Sequence, residues 1–250
     1  MTAYDASAYY KKHYQGASAD DWKQWHSQGA WPPAKSNKRL EEFEIGDGHG
    51  IVYRMLARFA PFNRALDIGC SAGDFLIPIR NASKAADGVD IADFSGAWGV
   101  LDEFYNIHCR QFDMDKGDLP FPDGHFSAVT MIMALEHVFD VEHAVQEISR
   151  VLEIDGIAVV QVPNIAYIKR RLDLLLGKLP ITADSSDGDF EKSWDGQHLH
   201  YFTLASLRNV FSRNSLHVED CRCFGRFASL RSQWPSLLGA DITILARRVE

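Results

Sequence analysis

The stretch "ALDIGCSAGDF", residues 65–75, runs from apolar residues through Asp67 into a loop of small residues, Gly69 to Gly73. The first half reads as a short buried strand, and the loop as the turn into a helix, "DFLIPIRNA", that tolerates Pro78 near its start. A triphosphate loop, GxxxxGK[ST], needs a lysine and a hydroxyl after its last glycine; here Gly73 is followed by Asp74. A dinucleotide loop, GxGxxG, lets backbone approach a pyrophosphate at a helix N-terminus; here Ser71 stands at the second glycine. With Asp67 and Asp74 adding negative charge, the loop favours a ligand without phosphates.

Outward from this loop the pattern alternates. "ADGVDI" and "IHCRQFD" read as strands on either side of a weak helix, "FSGAWGVLDEFY". "FSAVTMIMAL" is a buried strand, "VEHAVQEISRVL" an amphipathic helix and "GIAVVQVPN" a strand closed by Pro163. Strands alternating with helices over about 100 residues imply a parallel sheet covered on both faces. Farther on, "TLASLRNVFSRN" reads as a helix, and "LHVEDCRCF" and "ADITILARR" as two final strands joined by a short helix-like piece. That closing pair predicts an antiparallel end to the sheet.

The second strand ends in Asp90, 23 residues after Asp67. An acid there is placed to accept from both hydroxyls of a ribose. The third strand ends in "FDMD", where Asp113 can accept from an adenine amine and the Met114 backbone can meet the ring edge. A cationic sulfonium nucleoside suits such an acidic crevice better than an anionic one.

The run Asp67-Ile-Gly-Cys-Ser-Ala-Gly73, the acids Asp90 and Asp113, and "LPFPDGHFSAVTMIMALEHV" together resemble the class I methyltransferases that depend on S-adenosylmethionine (SAM). The likeness covers roughly residues 60–160, and the closing strand pair suits that family's seven-stranded, mostly parallel, doubly wound α/β sheet with an antiparallel last strand. It implies that Asp67, Gly69, Cys70, Ser71 and Gly73 form the loop under the methionine part of SAM. It further implies that Asp90 and Ile91 meet the ribose, Asp113 and Met114 the adenine, and Ala134 and Leu135 the sulfonium, with S-adenosylhomocysteine as product. Two simpler roles stay open: Asp67 ordering the loop, and Asp113 capping a turn.

Glu136-His137 follows the fourth strand, near the reacting methyl. His137 is either a general base for a hydroxyl acceptor or a histidine bonded to backbone. Quinone-pathway O-methyltransferases resemble this stretch in having Glu-His, with a further acid expected three residues before the Glu. Met133 stands there, which argues against a carboxylate-rich metal site and that substrate class.

The segment after Pro163, with Asn164, "RLDLLLGKLPIT", a Trp and "HLHYFT", resembles the region after the fifth strand in MetW-type proteins and in methyltransferases of glycan and secondary-metabolite pathways. Ile168, Leu172, Leu175, Leu176 and Leu179 recur at helical spacing beside Lys169, Arg170 and Arg171. That stripe fits core, a partner face, or a lipid surface carrying a lipid-linked acceptor. "DSSDGDF" reads as a lid hinge; Asn164 faces the acceptor, and His198, His200 and Tyr201 either face it too or simply cap and pack before Thr203. A His pair without a third ligand makes no metal site, and none is expected.

Residues 1–62, rich in Tyr and Trp, read as a helical cap whose Tyr10, Tyr14 and Trp31 shape the acceptor pocket, and 63–250 as the methyltransferase domain with an insert at about 164–202. The composition, 46% hydrophobic and 24% charged, is that of a globular chain without a membrane span. A net charge of −8 argues against nucleic acid as partner, as does the lack of "[DN]PP[YFW]". Four unclustered cysteines and no secretory signal at the start point to the cytoplasm. The expected function is methylation of an oxygen or nitrogen of a small biosynthetic acceptor, the alternative a MetW-like SAM-binding partner protein. Pairing with a second copy stays open.

Overall fold

The computed structural model of the protein describes residues 18–32, 38–182 and 198–250. Its centre is a sheet of β1 Phe62–Ile68, β2 Ser83–Asp90, β3 Ile107–Gln111, β4 Phe126–Ile132, β5 Leu152–Pro163, β6 Leu216–Arg222 and β7 Asp241–Arg248. Across it the order is β3-β2-β1-β4-β5-β7-β6. The first five strands pair in parallel, and β7 lies antiparallel between β5 and β6. From β1 the chain steps outward to β2 and β3, then returns to β4 on the other side of β1. At that reversal the crossovers leave in opposite directions and open a crevice at the carboxyl ends of β1 and β4.

Side chains alternate across each strand, and here both faces are apolar. Ala65, Ala86, Ala128, Ile157 and Val159 face one core, while Leu66, Val89, Val129, Ala158 and Val160 face the other. Strands covered on both sides read as near-continuous apolar runs, which is why these were legible.

The helices are α1 Ala19–Ser27, α2 Gly48–Leu56, α3 Leu76–Asn81, α4 Ser95–Tyr105, α5 Val141–Val151, α6 Ile168–Leu175, α7 Leu204–Arg213 and the four-residue α8 Ala228–Arg231 and α9 Pro235–Leu238. Helix α5 shows the usual logic. Asp140 caps it by accepting from the His143 amide at 3.0 Å, and Ala144, Val145, Ile148 and Val151 form its buried stripe. Strand β5 starts at Leu152, four residues before the sequence suggests. Leu152 pairs with Phe126, and Asp155 at φ 64° turns the chain before the ladder resumes at Ile157.

The N-terminal region divides. Helix α1, closed by a Ser18/Asp21 capping box, packs on α4, with Trp22 over Gly96. Helix α2, within the expected cap, instead belongs to the sheet's own layer: Ile51, Val52, Tyr53, Met55 and Leu56 are buried in the core. Trp31 is a correction to the expected pocket wall. It is 9% exposed and packs edge-on against Trp22, ring centres 4.8 Å apart. Tyr10, Tyr14 and the "DSSDGDF" hinge lie outside the described residues.

The α6 stripe is not core. Leu172, Leu175, Leu176 and Leu179 are 49%, 78%, 70% and 46% exposed. Among the described residues no helix is long and apolar enough to cross a membrane.

Candidate functional site

A cavity of about 360 Å³ fills the crevice at the β1/β4 reversal. Its walls include Gly69, Ser71, Asp90, Ile91, Asp113, Met114, Ala134 and His137, all expected from the sequence.

The floor is the loop after β1, and backbone dictates its shape. The Gly69 and Cys70 amides donate to the Val89 carbonyl at 2.8 and 3.0 Å, and the Ser71 amide donates to Asp90 Oδ2 at 2.8 Å. The Trp98 indole donates to the Ser71 carbonyl at 2.8 Å. Gly69 sits at φ 81°, and a Cβ on it would lie 2.7 Å from the Ala134 Cβ. No larger residue fits without pushing the two walls apart. From below, the Tyr53 hydroxyl donates to the Phe75 carbonyl at 2.9 Å and its ring stacks on Phe75. Helix α2 therefore braces the loop.

Asp90 accepts from the Ser71 and Ala92 amides, one on each carboxylate oxygen, both at 2.8 Å. A carboxylate has about four lone-pair sites, so each oxygen keeps one for a hydroxyl in the cavity. Asp113 takes the turn-capping role: it accepts from the Asp115 amide at 3.1 Å and pairs with Lys116 at 3.0 Å, while still contributing to the wall. Asp115 in turn accepts from the Phe139 and Asp140 amides, tying this turn to the one after β4.

Several expected contact residues support the cavity rather than line it. Asp67 is 3% exposed and accepts from Thr130 Oγ1 at 2.7 Å, its partner in register across β1 and β4. Cys70 is buried, Gly73 packs against Leu101, and Leu135 is wholly within the apolar core. Asn164 is a plain correction. It is fully buried, and its side-chain amide donates to the carbonyls of Pro235, Ser236 and Gly239, so nothing of it reaches an acceptor. Tyr201 is 46% exposed and outside the cavity wall.

The electrostatics are acidic. Burial pushes the Asp67 carboxyl up to about 7, with Asp90 and Asp74 adding to the effect. Burial also raises Asp74 and Asp90, and pushes Glu136 up to about 8. Of these Asp90 stands on the cavity wall, where a cationic ligand favours the ionised form that burial disfavours.

His137 lies on the wall at the end of the turn Leu135–His137. His198 and His200, expected side by side, part company: His198 packs against His137 with ring centres 4.9 Å apart, and His200 Nε2 lies 3.1 Å from the Phe139 carbonyl. Apart from that pair, Glu136, His137 and His198 converge, one ligand atom of each within 4.8 Å of the others.

Sequence reasoning missed His49, Phe94, Phe112, Met131 and Val138, which also stand on the wall. His49 arrives on α2, far from the loop in sequence, and no local pattern marks it. Met133 has a signal in retrospect: it stands at φ 51° on the wall, where the chain turns sharply out of β4.

A family model described as "Methyltransferase domain" matches residues 48–220. The chain is 28% identical over 182 residues to "Uncharacterized methyltransferase YcgJ" of Bacillus subtilis (strain 168), across 71% of this chain and 66% of that protein. It is 25% identical over 240 residues to "Probable S-adenosylmethionine-dependent methyltransferase Rv3030" of Mycobacterium tuberculosis, across 87% and 85%. In fold it is similar to the crystal structure of an S-adenosylmethionine-dependent methyltransferase from Mesorhizobium loti, with a TM-score of 0.60 and 17% identity over 82% of this chain and 100% of that one. The family match begins at α2, the helix found to brace the loop, and spans the floor, both strand-end acids and the 134–139 turn. The chain belongs to the methyltransferase domain family and is a class I methyltransferase.

Proposed function

We propose that this methyltransferase transfers the methyl group of SAM to an oxygen or nitrogen of a small-molecule acceptor in a biosynthetic pathway, of secondary-metabolite or glycan type. SAM, when bound, supplies an electrophilic methyl group on a cationic sulfur. The observation that carries the reading is that one cavity is walled by Gly69, Asp90 and His137 together. The Gly69–Ser71 backbone passes beneath the ligand, and Asp90 holds two hydroxyls with its free lone pairs and, buried on the wall, favours a positive charge.

What remains for the protein is to aim the acceptor along the methyl–sulfur line and exclude water. His137, on the wall at the mouth of β4, orients and activates the acceptor. A labelled-methyl assay against hydroxyl- and amine-bearing acceptors tests this. Transfer is expected, with His137→Ala lowering kcat by about 100-fold or more while S-adenosylhomocysteine affinity stays near wild type. Equal turnover in both proteins contradicts the role of His137.

The exposed leucines of α6 favour a second reading, a MetW-like protein that binds SAM and acts through a partner. It predicts ligand binding with no turnover until that partner is added.

A further inference from the structure

The turn after β4 and the chain at 198–200 are joined through backbone: the Leu199 and His200 amides both donate to the Glu136 carbonyl, at 2.9 and 3.1 Å. That junction sets three side chains against one another. The Glu136 carboxyl is fully buried, and among the described residues neither of its oxygens has a hydrogen-bond partner. A buried polar group left unmatched costs about 1 to 3 kcal/mol, more if charged. Such a group calls for a physical reason, and an ordered water, an ion or a catalytic role are among them.

One oxygen of Glu136 and one ring nitrogen from each of His137 and His198 lie within 4.8 Å of one another. The two imidazole rings are 4.9 Å apart, centre to centre, at 75°. With metal–nitrogen distances of about 2.0–2.1 Å, two imidazoles on one ion at ligand angles of about 90–105° have ring centres roughly 4.5–5.1 Å apart. The observed spacing falls in that window.

Orientation agrees. Thr182 Oγ1 lies 2.6 Å from His198 Nδ1. In the tautomer protonated at Nδ1 that nitrogen donates to Thr182 and Nε2 is the ligating atom, the outer-shell arrangement that metal-binding histidines use.

We propose that Glu136, His137 and His198 bind a divalent transition-metal ion, and that an open position of the ion takes a hydroxyl oxygen of the acceptor. Two imidazoles and one carboxylate leave room for further ligands, as catalytic rather than structural sites do. His137 is the member on the cavity wall, so an acceptor oxygen on the ion lies at the reacting end of the SAM cavity. The ion lowers the pKa of the bound hydroxyl: its O–H bond breaks and the proton leaves to water. The oxygen's electron pair then forms the bond to the methyl carbon as the carbon–sulfur bond breaks, its pair staying on a neutral thioether. The ion's role rests on the methyltransferase reading above; its binding does not.

The test strips the full chain with a chelator, removes the chelator, and titrates with Co²⁺ by visible absorption and Zn²⁺ by calorimetry. Wild type is expected to take up one equivalent. Glu136→Gln and His198→Asn should each weaken binding by more than about 100-fold, beyond what outer-shell changes give. His198→Asn, in a loop, keeps the test decisive if the buried Glu136→Gln variant does not fold. No stoichiometric uptake by wild type, or wild-type affinity in His198→Asn, overturns the site. S-adenosylhomocysteine titrated into the same samples separates the two readings. Its binding without metal uptake removes the site alone, and metal uptake without its binding removes the methyltransferase reading alone.

Discussion

Asp90 and Asp67 do different work although both end a strand beside the same loop. Asp90 stands on the wall with an amide on each oxygen and a lone pair to spare. Replacing it with alanine should weaken S-adenosylhomocysteine binding by about 1.5 to 3 kcal/mol, the worth of bonds to a charged group; unchanged affinity by calorimetry contradicts its role. Asp67 lies under the floor, and its folded value of about 7 stands well above the ordinary 3.8. Between those values the folded state holds the proton more tightly than the unfolded chain. Its contribution to stability is thus full below about pH 4 and is lost as pH rises through about 7. Compared with Asp67→Asn, which keeps an acceptor for Thr130, the ligand-free wild type should lose up to about 1.4 kcal/mol per pH unit across that window. Parallel denaturation curves for the two proteins at every pH contradict this. The sequence located both acids, because strand-end positions are periodic. It did not separate them, because burial under a floor depends on what packs from other elements, here Thr130 on β4.

At the scale of elements, the strands and the loop after β1 were readable because continuous apolar runs broken by small residues have few other uses. What supports the loop was not. Tyr53 on α2 and Trp98 on α4 reach it from helices whose own patterns only say that one face is buried. Asn164 misled for the opposite reason: a polar residue after a strand looks available, and here its amide is spent on three backbone carbonyls between 235 and 239. Helix α6 decides against one of the roles its stripe allows. Its leucine periodicity is that of a core helix, yet Leu175 is 78% exposed. Leu175→Asp should therefore change stability by less than about 0.5 kcal/mol. A loss of several kcal/mol on thermal melting would mean that this face is covered in solution.

Across the whole molecule, the order β3-β2-β1-β4-β5-β7-β6 puts the carboxyl ends of β1, β2 and β4 around one acidic cavity. The carbonyl of Glu136 then ties the turn after β4 to the chain that follows β5. The donor side of this site was visible in the sequence as three spaced acids and a glycine loop. The acceptor side depends on a junction between residues 136 and 198, sixty-two positions apart, which no periodicity encodes. If the cavity takes a sulfonium nucleoside, calorimetric titration of the chain with SAM, S-adenosylhomocysteine and NAD in parallel will show it. Dissociation constants for the two adenosyl ligands are expected in the micromolar range, about −8 kcal/mol, with no heat from NAD. Silence from both adenosyl ligands in a folded sample, or binding of NAD in their place, would contradict it.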